Sequence, residues 1–256
     1  KCLLLPRRSL GWNRLVIPIF QLTMHQLIRR RRYIIVLLVS VIPILMGVLV
    51  AMVGGATPDE IDEAHDFVTA WLIIGVVLPI AALLLSTATL GDEVEDQTLV
   101  YLMLKPIARW RIVLPKLLAT VIGVATPVAF SGLIASLLIT DGDLVAALVT
   151  AAGLTVGAIT YSVIFTWGGL VSRQAIIFGL GYAFLWEASI SDLFSGLRFL
   201  SVRQYTLGVI HGLDESRFPG VGEVDLELVP AVVGATIVVV LFAWLTERRL
   251  RLMDIP

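Results

Sequence analysis

The sequence predicts an all-α protein whose helices cross a membrane six times. Of its 256 residues, 58% are hydrophobic and only 15% are charged, and the mean hydropathy is +0.94. A single water-soluble core cannot hide so much apolar surface, so we expect this chain to be embedded in a bilayer. Runs close to the roughly 20 apolar residues that span a bilayer lie at 33–53, 67–90, 117–139, 144–171, 175–190 and 228–245.

These spans belong to one predicted transmembrane domain, 1–256, because no linker or low-complexity block interrupts them. The net charge of -1 is a near cancellation of opposite sides, so by itself it says nothing about nucleic-acid or acidic partners. No nucleic-acid partner is expected for this membrane chain. Cys2 is the only cysteine, which excludes an intrachain disulfide and a thiolate metal cluster. The first ten residues have too short an apolar core for a signal peptide, and without an initial Met we expect the start to be incomplete or unnatural.

Before the first span, residues 15–32 are predicted to form an amphipathic helix on the membrane surface. Leu15, Ile19 and Leu22 recur near one helical face. The predicted membrane anchor at its end is the cationic run Arg29, Arg30, Arg31 and Arg32. A plain positively charged anchor without a surface helix is the alternative.

The distribution of Lys and Arg predicts that both termini are cytoplasmic. Cytoplasmic connections carry an excess of these cations, and an even number of spans puts both termini on one side. With the N-terminus inside, the outer connections hold only three of the arginines, Arg198, Arg203 and Arg217. The outer connections are acidic instead.

The most densely charged part of the chain runs from Gly91 to Trp110, between the second and third spans, and we call it the charged segment. Its carboxylates come first and are followed by an apolar run, a proline and several cations. This order predicts a short amphipathic helix, a proline stop and a basic return to the bilayer within the connection 91–116. Such a segment usually contacts something outside the membrane, although a solvated loop is the alternative.

The outer connection 191–227 is too long for a turn and too mixed in polarity for a span. We expect one or two short helices that dip into the outer leaflet, rather than an unstructured loop. Glu187, just before this connection, is the only carboxylate near the predicted hydrocarbon zone. It is either a functional group inside the membrane or a simple cap of the fifth span.

The residue pattern excludes the common catalytic sites. A phosphate-binding G-x-x-x-x-G-K-[ST] loop is absent, because none of the three lysines stands in this pattern: Lys1, Lys105 and Lys116. The three histidines are too far apart for zinc-protease spacing, and no G-x-S-x-G motif is present. We therefore expect the chain to be no enzyme and to bind no metal or cofactor itself.

The charged segment resembles the cytoplasmic loop between spans two and three of type-two ABC-transporter permeases, the exporter class with six spans per subunit. The matching pattern is Gly91-Asp92-Glu93-x-Glu95-Asp96-x-Thr98-Leu99-x-Tyr101-Leu102, then Lys105-Pro106-Ile107-x-Arg109-Trp110-x-Ile112 and Lys116. The whole layout also matches: the surface helix would be the family's elbow helix and the connection 191–227 its outer re-entrant helices.

The resemblance implies that the charged segment is the coupling helix that docks on a separate ATP-binding cassette subunit. The residues implied in this contact are Asp92, Glu93, Glu95, Asp96, Thr98, Leu102, Lys105, Pro106, Arg109 and Trp110. ATP and Mg would bind to that soluble partner. A second permease chain would complete a homodimer or heterodimer in a bacterial or archaeal plasma membrane.

Two other function classes are open, a secondary transporter or channel and an intramembrane enzyme. The first usually needs ionisable groups or broken helices near the midplane, and the second a convergent catalytic cluster. The predicted spans show neither, apart from Glu187 near the end of the fifth span. Small polar residues in the spans either line a path or allow close helix packing: Ser86, Thr87, Thr126, Ser131, Thr155, Thr160 and Ser162. The cargo is open among lipid, antibiotic, polysaccharide and peptide.

Overall fold

The computed structural model describes residues 12–52, 57–95, 109–172, 174–184, 201–215 and 226–252, and the elements in these ranges are helices. Two helices form the N-terminal part, α1 at Trp12–Arg29 and α2 at Arg31–Met52. Next, α3 at Pro58–Asp66 continues through a π-helical stretch, Phe67–Val77, into α4 at Leu78–Glu95. The remaining helices are α5 Trp110–Ile139, α6 Leu144–Val171, α7 Ala175–Gly181, α8 Val202–Leu213 and α9 Leu228–Leu252.

Local chemistry explains where several helices begin. Thr57 and Glu60 form a capping box at the start of α3, in which each side chain bonds to the backbone N–H of the other residue. The Asp143 carboxylate accepts hydrogen bonds from the backbone N–H groups of Val145 and Ala146 in the first turn of α6. The tight turn before α6 needs the left-handed conformation, which Asp141 (φ 50°) and Gly142 (φ 92°) adopt. The long hairpin of α5 and α6 is therefore closed by turn chemistry that can be read in the sequence.

Five described helical segments are long and apolar enough to cross a membrane. They are α2, the continuous segment Pro58–Val94, α5, α6 and α9. In place of the predicted span 175–190, the described residues contain only the shorter apolar helix Ala175–Phe184, and residues 185–190 lie outside the described ranges. An all-helical membrane protein is thus confirmed, whereas the six-span layout stays a prediction.

The helix α6 lies at the centre of the bundle, where it packs against α4, α5, α8 and α9. The core is made of fully buried apolar side chains from these helices and the π-helical stretch, such as Ile73, Leu78, Leu154 and Ile210. By contrast, α2 and α9 expose many large apolar side chains, including Leu38 on α2. Such surfaces are unfavourable in water and suit contact with lipid or with another chain.

The N-terminal helix differs in its boundaries from the predicted surface helix 15–32. α1 begins at Trp12 and ends at Arg29, and α2 begins at Arg31, two residues before the predicted span 33–53. The cationic run therefore lies across the corner between two helices instead of at the end of one. Hydropathy places Arg30–Arg32 outside the bilayer but cannot show that the chain bends there.

The outer connection contains one described helix, α8, which packs against α6 and α9. Its side chains from Val202 to Ile210 are mostly buried within the bundle, and Ser201 caps its first turn. Residues 191–200 and 216–225 lie outside the described ranges, and so does Glu187. A helix in this connection agrees with the prediction, while its depth in the membrane stays untested.

Most small polar residues of the spans serve packing in the single chain. Ser86, Ser131, Thr160 and Ser162 are buried. The Thr160 hydroxyl donates to the carbonyl oxygen four residues earlier, as threonine does in apolar helices. The Ser131 hydroxyl donates to the Ser40 carbonyl of α2, which joins two helices. These side chains are therefore packed between helices of the single chain.

Candidate functional site

The charged segment starts on the last turn of α4 and ends where α5 begins, so its two ends are held by neighbouring helices. Asp92 and Glu93 belong to that last turn. Carboxylates at this position face the negative end of the helix dipole, which is unfavourable unless cations lie nearby. The structure supplies these cations from two different directions.

Asp92 pairs with the corner between α1 and α2. Its carboxylate contacts Arg30, and Oδ1 lies 3.1 Å from Nη1 of Arg32. All three side chains are partly exposed to solvent. The alternate residues of the cationic run, Arg29 and Arg31, are exposed. The predicted membrane anchor is thus split into two arginines that hold the end of α4 and two that face outward.

Glu93 pairs with Lys116 on α5, and this ion pair is buried. The Lys116 side chain is 2% exposed and the Glu93 side chain 16% exposed. One helical turn further into the bundle, the hydroxyls of Thr89 and Thr120 are 2.8 Å apart and share a hydrogen bond. Thr120 also donates to the carbonyl of Lys116. Two successive polar contacts therefore fasten α4 to α5 at the base of the charged segment.

A close backbone contact fastens α4 to α6 at the same level. A Cβ atom added to Gly169 on α6 would lie 2.8 Å from the carbonyl oxygen of Thr87 on α4. One turn along α4, a Cβ atom on Gly91 would lie 3.1 Å from the Gly169 carbonyl oxygen. Small residues allow helices to approach this closely in a membrane. The helix that carries Asp92 and Glu93 is therefore fixed on a third side.

Only some of the other predicted contact residues lie within the described ranges. Arg109 and Trp110 are half-buried at the start of α5, and the Arg111 guanidinium lies 5.6 Å from the centre of the Trp110 ring. Glu95 is the last residue of α4. The remaining predicted residues lie outside the described ranges: Asp96, Thr98, Leu102, Lys105 and Pro106.

Sequence reasoning missed the ion pairs that anchor the segment. The available signal was the opposite charge of Glu93 and Lys116 at the two ends of one connection. That signal was not specific, because several carboxylates and cations are equally close in sequence. The long-range partners of Asp92, some 60 positions earlier in the chain, had no sequence signal.

The long apolar helices show that this chain is an α-helical integral membrane protein. Residues 27–190, more than half of the chain, match the family model described as ABC-2 family transporter protein. The chain belongs to this family, which confirms the resemblance to type-two ABC-transporter permeases. The matched part contains α2 to α7 and the whole charged segment. None of the curated proteins compared with the chain matches it.

Proposed function

We propose that this chain is the membrane subunit of an ATP-binding cassette exporter, with the charged segment as its contact to a separate ATP-binding subunit. A second permease chain, identical or related, completes the transporter. Family membership supports the class. The observation that carries the mechanism is that the base of the charged segment is joined by ion pairs to α5 and to the α1–α2 corner.

These contacts suggest how a push on the segment reaches the membrane. Because Glu93 is paired with buried Lys116, a displacement of the segment moves α4 and α5 together. Because Asp92 is paired with Arg30 and Arg32, the same displacement reaches α1 and α2. ATP-driven closure of the partner would thereby be converted into a shift of several helices, instead of bending one loop.

The same contacts divide the predicted interface residues into two groups. Asp92 and Glu93 face cations of their own chain, so in this proposal they anchor the segment and add little to the partner contact. The contact itself then falls to Glu95, Asp96, Arg109 and the residues between them. Charges of both signs on one short segment suit a partner groove of complementary charge.

The test of this proposal compares two charge reversals of equal size. Glu95→Lys together with Asp96→Lys should reduce co-purification with the P-loop ATPase subunit that the proposal requires, or uncouple ATP turnover from transport. The control reverses Asp62 and Glu63, two exposed carboxylates of α3; those changes should leave both properties near the parent values. Truncating one side of a charged contact costs roughly 2–5 kcal/mol when it is buried and far less at a rim.

Two results would count against the proposal. The first is normal assembly and ATP-coupled transport by the Glu95 and Asp96 double variant, which would make the segment a solvated loop. The second is transport by the purified chain without the ATPase, driven by an ion gradient, which would favour the secondary-transporter alternative. Membrane insertion should be unchanged in both double variants, because hydropathy and flanking cations set it.

A further inference from the structure

A cavity of about 260 Å³ opens at the end of the bundle beside the Asp92 contact. It lies among the starts of α2 and α7 and the last turns of α4, α6 and α9. Among the described residues, those with charged side chains that line it are Arg32, Asp92 and Arg249. Coupling through the Asp92 contact involves neither Arg249 nor the cavity itself.

The charges around this cavity leave an excess of cations. Arg30 and Arg32 share the single carboxylate of Asp92, and Arg249 adds a further cation. The neighbouring carboxylate on α9, Glu247, already pairs with Arg251 at 2.5 Å. Within the described residues the cavity therefore favours an anion, held between Arg32 and Arg249.

One wall of the cavity is apolar and continues onto the surface of the bundle. Val171 and Ile176 line the cavity and are exposed, and the neighbouring side chains Ile177 and Phe178 of α7 are more exposed still. A free inorganic anion would gain nothing from such a wall. A molecule with an anionic head and an apolar tail would use both the arginines and the wall.

We infer that this cavity binds the phosphate group of an anionic phospholipid, and that the acyl chains of the lipid lie along the exposed face of α7. Basic pockets between transmembrane helices bind anionic lipid head groups in this way, because the phosphate gains charge contacts while the tails stay in the bilayer. The site needs only the membrane location of the chain. It does not depend on ATP coupling or on the identity of the cargo.

The test measures lipid retention by native mass spectrometry on the purified full chain in detergent. The chain should retain one equivalent of dioleoylphosphatidylglycerol, and it should bind this lipid more tightly than dioleoylphosphatidylcholine. Arg249→Gln should weaken phosphatidylglycerol binding about fivefold, from the usual contribution of one cation near an anionic lipid. Arg249→Lys keeps the charge and should retain most of the binding.

The matched control is Arg248→Gln. Arg248 directly precedes Arg249 in α9 and is also exposed, but its guanidinium lies over the Trp244 ring at 5.2 Å and it does not line the cavity. Equal binding of the two lipids, or equal weakening by the Arg248 and Arg249 variants, would overturn the inference. Displacement of phosphatidylglycerol by excess inorganic phosphate would also overturn it, since the site would then serve a soluble anion.

Discussion

The buried pair of Glu93 and Lys116 provides the sharpest test of the structure. Changing Lys116 to Met preserves much of the side-chain volume but leaves Glu93 without its cation. Breaking a buried ion pair from one side costs about 3–5 kcal/mol, because one charge remains buried and uncompensated. We expect a value in the lower half of that range, since Glu93 is still 16% exposed.

The assay is thermal unfolding of the detergent-solubilised chain, followed by loss of the monodisperse peak in size-exclusion chromatography. For a domain of this size, 1 kcal/mol corresponds to a shift of roughly 2–4 °C in Tm. The Lys116→Met variant should therefore unfold roughly 6–16 °C lower than the parent. By contrast, Asp92→Asn removes two partly exposed ion pairs, those with Arg30 and Arg32, and each such pair contributes only about 0–1 kcal/mol.

The decisive control removes both charges of the buried pair. Lys116→Met combined with Glu93→Gln leaves no uncompensated ion, and replacing a buried pair by neutral groups is often close to neutral. The double variant should therefore recover most of the lost stability. If it unfolds as early as Lys116→Met alone, or if Lys116→Met shifts Tm no more than Asp92→Asn does, the pair is not buried as described.

Two further predictions concern packing and orientation. Gly169→Ala should destabilise the chain by about 1–3 kcal/mol, because the added methyl group would be forced against the α4 backbone; Gly168→Ala, with open space around its Cβ position, should be neutral or stabilising by up to about 1 kcal/mol, and equal Tm shifts for the two would refute the close crossing. In a chain whose native cysteine is replaced, single cysteines at Asp62 and Asp214 should react with a membrane-impermeant maleimide from outside, and a cysteine at Gln97 only after the membrane is opened. Labelling at Gln97 in intact cells would invert the predicted topology.

The sequence by itself determined the membrane class, the charged segment and most span positions. Hydropathy is a local property, so runs such as 144–171 identify a spanning helix without knowledge of its neighbours. Capping signals are equally local, which is why Asp143 marks the start of α6. The family pattern of the charged segment was also contained in consecutive residues, and it led to the family that comparison then showed.

Only the tertiary structure decided which charges meet. Asp92 could have paired with any nearby cation, and its partners Arg30 and Arg32 were selected by the bend between α1 and α2. The burial of Lys116 was likewise hidden, because a lysine near the end of a span is normally expected to reach toward water. Side-chain pairing depends on distances between helices far apart in the chain, and hydropathy carries no information about those distances. The anchors of the charged segment and the cationic cavity beside it therefore emerged only from the packed bundle.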